Sequence, residues 1–128
     1  MSFAVRIDLP AQNPDGIAIG DLNKDGKPDL AVTNFAANSV SIFRNISVPG
    51  SISFAARTDY PTGQYPSGIS IGDLDGDTWQ DIIISNDNSN YLSIFKNNAI
   101  AGNISLTSIN NLITGIDAKD VILTDIDG

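Results

Sequence analysis

Apolar residues along this chain alternate with small or polar ones in short runs, and no stretch keeps the three-to-four-residue spacing of an amphipathic helix. Gly16–Gly20 (GIAIG), Asp29–Asn34 (DLAVTN), Ser39–Arg44 (SVSIFR) and Ser51–Thr58 (SISFAART) each read as a strand bounded by Gly, Asn, Asp or Pro. Gly68–Gly72, Asp81–Asn86, Tyr91–Lys96 and Ile104–Ile109 repeat that series. Phe3, Val5 and Ile7 alternate like the fourth strand type, and Asp120–Thr124 (DVILT) matches the first. Short strands between polar turns predict a meander of antiparallel hairpins.

The series has a period. Asp21 opens DLNKDGKPD, Asp73 opens DLDGDTWQD 52 residues later, and Asp125 opens DIDG after 52 more, where the sequence stops. Between 17–45 and 69–97, 13 of 29 positions are identical, among them Asp21/Asp73, Asp25/Asp77, Asp29/Asp81, Asn34/Asn86, Asn45/Asn97 and the triplets Ser41-Ile42-Phe43 and Ser93-Ile94-Phe95. Four antiparallel strands in about 50 residues is the blade of a β-propeller, a unit that buries its apolar faces only against neighbouring blades. The expected fold class is therefore all-β: two full four-stranded blades plus flanking single strands, with the ring incomplete within one chain. The whole of 1–128 reads as one such segment, with loops at 21–29 and 73–81 and a truncated one at 125–128. In the adjacent pairs Ile42/Phe43 and Ile94/Phe95, one side of each strand is expected in the core between blades.

Composition narrows the chemistry. The 128 residues include 15 acids, all Asp, against 7 bases, for a net charge of −8. There is no Glu, His or Cys, which excludes disulfides, an ordinary zinc site and a Ser-His or Cys-His nucleophile. The acidic balance argues against nucleic acid, and no apolar run is long enough for membrane insertion as a helix. The chain is read as non-enzymatic.

Nine of the fifteen Asp fall in the three repeated loops. The first places side-chain oxygens at positions 1, 3, 5 and 9 (Asp21, Asn23, Asp25, Asp29) and a backbone carbonyl at position 7 (Lys27). The second offers Asp73, Asp75, Asp77 and Asp81 with the carbonyl of Trp79, and the third offers Asp125 and Asp127 before Gly128. Hard oxygen donors at odd spacing around a tight turn are the pattern of a Ca2+ loop. The run leaving each loop is β-rich and carries Val32 or Ile84 where an EF-hand needs Glu, so the loops are not EF-hands. Position 6 is Gly26 in the first loop but Thr78 in the second, a strained choice if that position needs positive φ. Lys24 and Lys27 are expected only to solvate the first loop.

The runs GDLNKDGKPDLAVTN (20–34) and GDLDGDTWQDIIISN (72–86) resemble FG-GAP repeats of the VCBS type, the repeats of propellers like those of integrin α-subunits. The resemblance covers nearly the whole chain. It implies a seven- or eight-bladed propeller, Ca2+ held between the first and second strands of a blade by the residues named above, and an extracellular or cell-surface setting.

The leading expectation is a calcium-binding module for adhesion or for recognition of a protein or carbohydrate ligand, the metal being structural. The alternatives are a self-assembling structural protein, built as a ring or filament of blades, and an accessory segment of a polysaccharide-active enzyme. The expected partners are other propeller blades, from a parent chain or identical copies. Trp79, Tyr60, Tyr65 and Tyr91 are candidate sugar platforms, Trp79 foremost because its polar loop is expected to be exposed, though aromatics more often fill the space between blades. Asn45-Ile46-Ser47 and Asn103-Ile104-Ser105 match the N-glycosylation pattern.

Overall fold

The computed structural model describes residues 6–109, 112–115 and 117–124. Those residues are all-β and contain no helix. One sheet runs in the order β1 (Pro14–Gly20), β2 (Asp29–Asn34), β3 (Ser39–Phe43) and β4 (Thr58–Pro61), with every neighbouring pair antiparallel. The second runs β5 (Pro66–Gly72), β6 (Asp81–Asn86), β7 (Tyr91–Asn97) and β8 (Leu106–Ser108), and the short β9 (Leu112–Ile113) also pairs with β7. This is the consecutive antiparallel order of propeller blades, and β1 and β5, like β2 and β6, are offset by 52 residues.

Both first strands carry the same irregularity. Register shifts between Pro14 and Ile17, and between Pro66 and Ile69. There the amide of Gly16 donates to Thr33 Oγ1 at 2.7 Å, and that of Gly68 to Ser85 Oγ at 3.0 Å. A hydroxyl on the neighbouring strand thus replaces a ladder bond and bends the strand, as in a β-bulge.

The core lies between the two sheets. Leu22, Ala31, Val40 and Ile42 of the first pack against Ile82, Ile84, Phe95 and Leu106 of the second, with Tyr60, Ile69 and Ile71 at the margin. Ile42 and Phe95 are 3% and 1% exposed, so each blade does contribute one side of its Ile-Phe pair. A fully buried Ile or Phe stabilises by roughly 1.5–3 kcal/mol, so this interface dominates the stability of the pair of blades. Close approach of β1 to β5 depends on glycine: a Cβ at Gly16 would sit 2.1 Å from Ser67 O, and one at Gly20 would sit 2.8 Å from Ile71 Cγ2.

Three strand expectations need correction. The fourth strand of the first blade is Thr58–Pro61, not Ser51–Thr58. Residues 45–54 instead form a narrow ribbon with bridges Asn45↔Phe54 and Val48↔Ser51 around Gly50 at φ 83. Within it Ser53 O accepts from Ile46 N at 2.9 Å, and the Ser47 hydroxyl accepts from Ser53 N and donates to Ser53 O, so this stretch pairs with itself before the ladder to β3 begins. In the second blade the fourth strand shortens from the expected Ile104–Ile109 to Leu106–Ser108. Asp120–Thr124 forms no strand. It lies against β5 through side-chain bonds, Leu123 N donating to Ser70 Oγ, Ser67 Oγ donating to Lys119 O and Asp120 seated beside Gly68, in place of a backbone ladder. Ile7 is exposed and outside any strand, while Phe3 and Val5 lie outside the described residues.

Candidate metal centre

Each of the two complete acidic loops spans a sharp reversal from the end of a first strand (Gly20, Gly72) to the start of a second (Asp29, Asp81). The last acid staples the loop shut. Asp29 is fully buried; its Oδ2 accepts from Leu22 N at 2.9 Å and its Oδ1 from Asn45 N at 2.8 Å. Asp81 repeats this with Leu74 N at 3.0 Å and Asn97 N at 2.8 Å. Burial pushes the Asp29 carboxyl above its ordinary range, with Asp25 and Asp21 adding to the push, and the two backbone donors oppose it.

The first acid organises the turn. Asp21 accepts from Asp25 N (3.2 Å) and Gly26 N (2.8 Å), and Asp73 from Gly76 N and Thr78 N (both 2.8 Å). These bonds require two left-handed residues per loop: Lys24 (φ 55) with Gly26 (φ 82), and Gly76 (φ 79) with Thr78 (φ 71). Each loop therefore carries one glycine and one strained residue, in opposite order. Positions 3 and 5 point along the same turn: Asn23 Oδ1 accepts from Asp25 N and Asp75 Oδ1 from Asp77 N, both at 3.2 Å, while Asp25 and Asp77 accept from Lys27 N and Trp79 N at 2.9 Å.

The loops differ in how far their oxygens converge. In the second, oxygens of Asp73, Asp75 and Asp81 all lie within 4.8 Å of one another, the sole trio of acids so close among the described residues. Asp77 stands apart: its Oδ2 lies 3.1 Å from Lys96 Nζ, which also pairs with Asp75. The hydrogen bond from Trp79 N, and then Lys96, hold the Asp77 carboxyl below its ordinary range, and the same carboxylates raise the Lys96 ammonium above its own. In the first loop, position 3 is Asn23, fully buried, whose Nδ2 donates to Asp25 Oδ2 at 3.1 Å and leans on Gly102 O at 3.4 Å. Asp21, Asp25 and Asp29 form no comparable trio. Asp125 and Asp127 lie outside the described residues.

Three anionic, hard oxygen donors at this separation suit a divalent cation with oxygen preference, and the chemistry of the donor set fits calcium. The Lys96 ammonium already neutralises part of the same charge.

Side chains that sequence reasoning missed tie the loops together. Lys24 does more than solvate its own loop: its Nζ lies 4.0 Å from the centre of the Trp79 ring and donates to Thr78 Oγ1 at 2.7 Å. Asn97, fully buried, donates through Nδ2 to Leu22 O at 2.8 Å and Gln80 O at 3.0 Å. The identity of Asn45 and Asn97 across the repeat was the available signal; the sequence placed Lys24 in the first loop without showing its partner, and did not show Lys96 meeting the second.

The aromatic residues are largely engaged. Trp79 is half-buried beneath Lys24 rather than exposed, Tyr60 meets Phe95 edge-on at 5.9 Å, and Tyr65 stacks on Phe35 at 4.8 Å. Of the two glycosylation-like sites, Asn45 is buried and bonded to Pro28 O, whereas Asn103 is exposed.

Comparison with known families finds one match: the FG-GAP-like repeat model covers residues 21–84, half of the chain and both complete acidic loops. No curated protein and no solved structure matches.

Proposed function

The chain belongs to the FG-GAP-like repeat family, and from that premise we propose that it is a calcium-stabilised propeller module serving adhesion or recognition of a protein or carbohydrate at the cell surface or outside the cell. The observation that carries this reading is the convergence of Asp73, Asp75 and Asp81 within 4.8 Å. Calcium would be held there by these three carboxylates with the Trp79 carbonyl. In the first loop it would be held by Asp21, Asn23, Asp25, Asp29 and the Lys27 carbonyl, and in the third by Asp125 and Asp127. When bound, the ion supplies positive charge that offsets carboxylate repulsion; it stabilises the turn and is not a catalyst. The chain's own residues do the positioning: Asp29 and Asp81 close each loop, and the backbone amides aim the side-chain oxygens at positions 1, 3 and 5.

Calorimetric titration with calcium tests the proposal. Binding near 0.1–1 mM, typical of extracellular modules, is expected, and D73N/D75N should remove one site. A flat titration of a folded sample would contradict it.

One observation favours a second reading, self-assembly. Ile17 and Ile19 are 61% and 65% exposed, yet their counterparts Ile69 and Ile71 pack into the core between blades. The exposed pair suits a further blade, from the same parent chain or from another copy. Light scattering across a dilution series distinguishes a copy (mass rising with concentration) from a monomer.

A further inference from the structure

We propose that Asn97 couples the two complete acidic loops, so that a divalent cation in one raises the affinity of the other. This rests on the calcium reading above. A continuous hydrogen-bonded path runs from one candidate ligand to another. Asp81 Oδ1 accepts from Asn97 N at 2.8 Å, Asn97 Nδ2 donates to Leu22 O at 2.8 Å, and Leu22 N donates to Asp29 Oδ2 at 2.9 Å. All four residues are at most 2% exposed. Water cannot replace a partner at such depth, so loosening one bond leaves a buried polar group unsatisfied.

The path crosses between blades. Leu22 is the second residue of the first loop, while Asn97 follows the second loop and ends β7. Asn45, the counterpart of Asn97, makes the equivalent bonds to Asp29 Oδ1 and Pro28 O within its own blade and reaches no other loop.

The coupling works through order. A cation on Asp81 fixes that carboxylate and, through it, the Asn97 backbone. The Asn97 side chain then holds the Leu22 peptide, whose amide orients Asp29. The ordering cost met by the first cation is then lower for the second, which is positive cooperativity without a large movement. Linkage requires the effect to be equal in both directions. Lys24, lying over Trp79, provides a second, exposed tie between the loops.

The test is calcium calorimetry on the full chain with either loop disabled by substitution of the acids at its turn: D21N/D25N for the first, D73N/D75N for the second. Disabling either loop should weaken the other by about fivefold, the low end of ordinary allosteric coupling. N97A should reduce that factor to about one, whereas N45A, which removes the same kind of local bonds, should leave the factor unchanged. Should N97A fail to fold, N97S, whose shorter side chain cannot reach Leu22 O, takes its place. Two loops that bind calcium with affinities indifferent to each other overturn the coupling alone. Coupling that survives N97A but vanishes in K24A overturns the role of Asn97. No calcium binding at either loop overturns this inference together with the calcium reading.

Discussion

Thr78 holds a β-branched side chain at φ 71, a conformation that glycine adopts freely and threonine does not. Its one compensation is the exposed bond from Lys24. T78G should therefore stabilise the fold by about 1 kcal/mol in urea unfolding with chelator present; a loss of stability would mean the Lys24 bond outweighs the strain. Lys96 poses the opposite test. Its ammonium sits among Asp75 and Asp77 where a metal's charge would act, so K96Q should tighten calcium binding at the second loop by about fivefold, read by calorimetry. At this scale the register of the acids was legible, because odd spacing and a repeat are properties of the string. The roles of Lys24, Lys96 and Asn97 were not. Lys24 and Asn97 act across the boundary between repeats, and Lys96 meets its acids only once β7 lies beside the loop. The need for a second left-handed residue was hidden because the glycine stands at opposite positions in the two loops.

Among the elements, the loops depend on carboxylates that brace backbone rather than reach solvent. Asp81 satisfies Leu74 N and Asn97 N, and D81A leaves the buried Asn97 amide without a partner. It should destabilise by about 2–3 kcal/mol even in chelator, measured by urea unfolding. A cost seen only with calcium would assign Asp81 to the metal alone. The segment 117–124 is tied differently. Lys119 Nζ lies 2.8 Å from Asp87 Oδ2; burial alone would raise the Asp87 carboxyl, but bonds from Lys119 and Ser67 outweigh it and hold the carboxyl low, while Asp87 raises Lys119. The lowered acid contributes stability above its ordinary pKa of 3.8 and loses it as pH falls through the lower folded value. The raised base contributes below its ordinary 10.5 and loses it as pH rises through the higher folded value. Amide exchange in 117–124 should thus stay protected from about pH 4 to 10 once corrected for intrinsic rates, and K119A should weaken that protection while the Leu123 amide, bonded to Ser70 Oγ, keeps its own. The second and third strands of each blade were readable almost to the residue from their flanking Asp and Asn. The fourth was misplaced because 45–54 folds back on itself, Ser53 bonding to both Ile46 N and the Ser47 hydroxyl, and postpones the ladder to Thr58.

At the scale of the molecule, two blades bury one another through Ile42, Val40, Ile82, Ile84 and Phe95, and the first leaves Ile17 and Ile19 in solvent. The 52-residue period made this architecture legible, since a repeated four-stranded unit has to stack on its neighbour to bury its apolar face. Which residues meet across that interface was not legible, because it depends on the glycine-rich approach of β1 to β5. On the proposed reading, calcium stabilises these blades by ordering their acidic loops. Thermal unfolding in about 5 mM calcium and then in excess chelator tests it most directly. Two sites of 0.1–1 mM affinity would contribute about 2–5 kcal/mol, a rise in Tm of roughly 10 °C that D21N/D25N/D73N/D75N should abolish. An identical Tm in both buffers, from protein shown to be folded, would contradict the account.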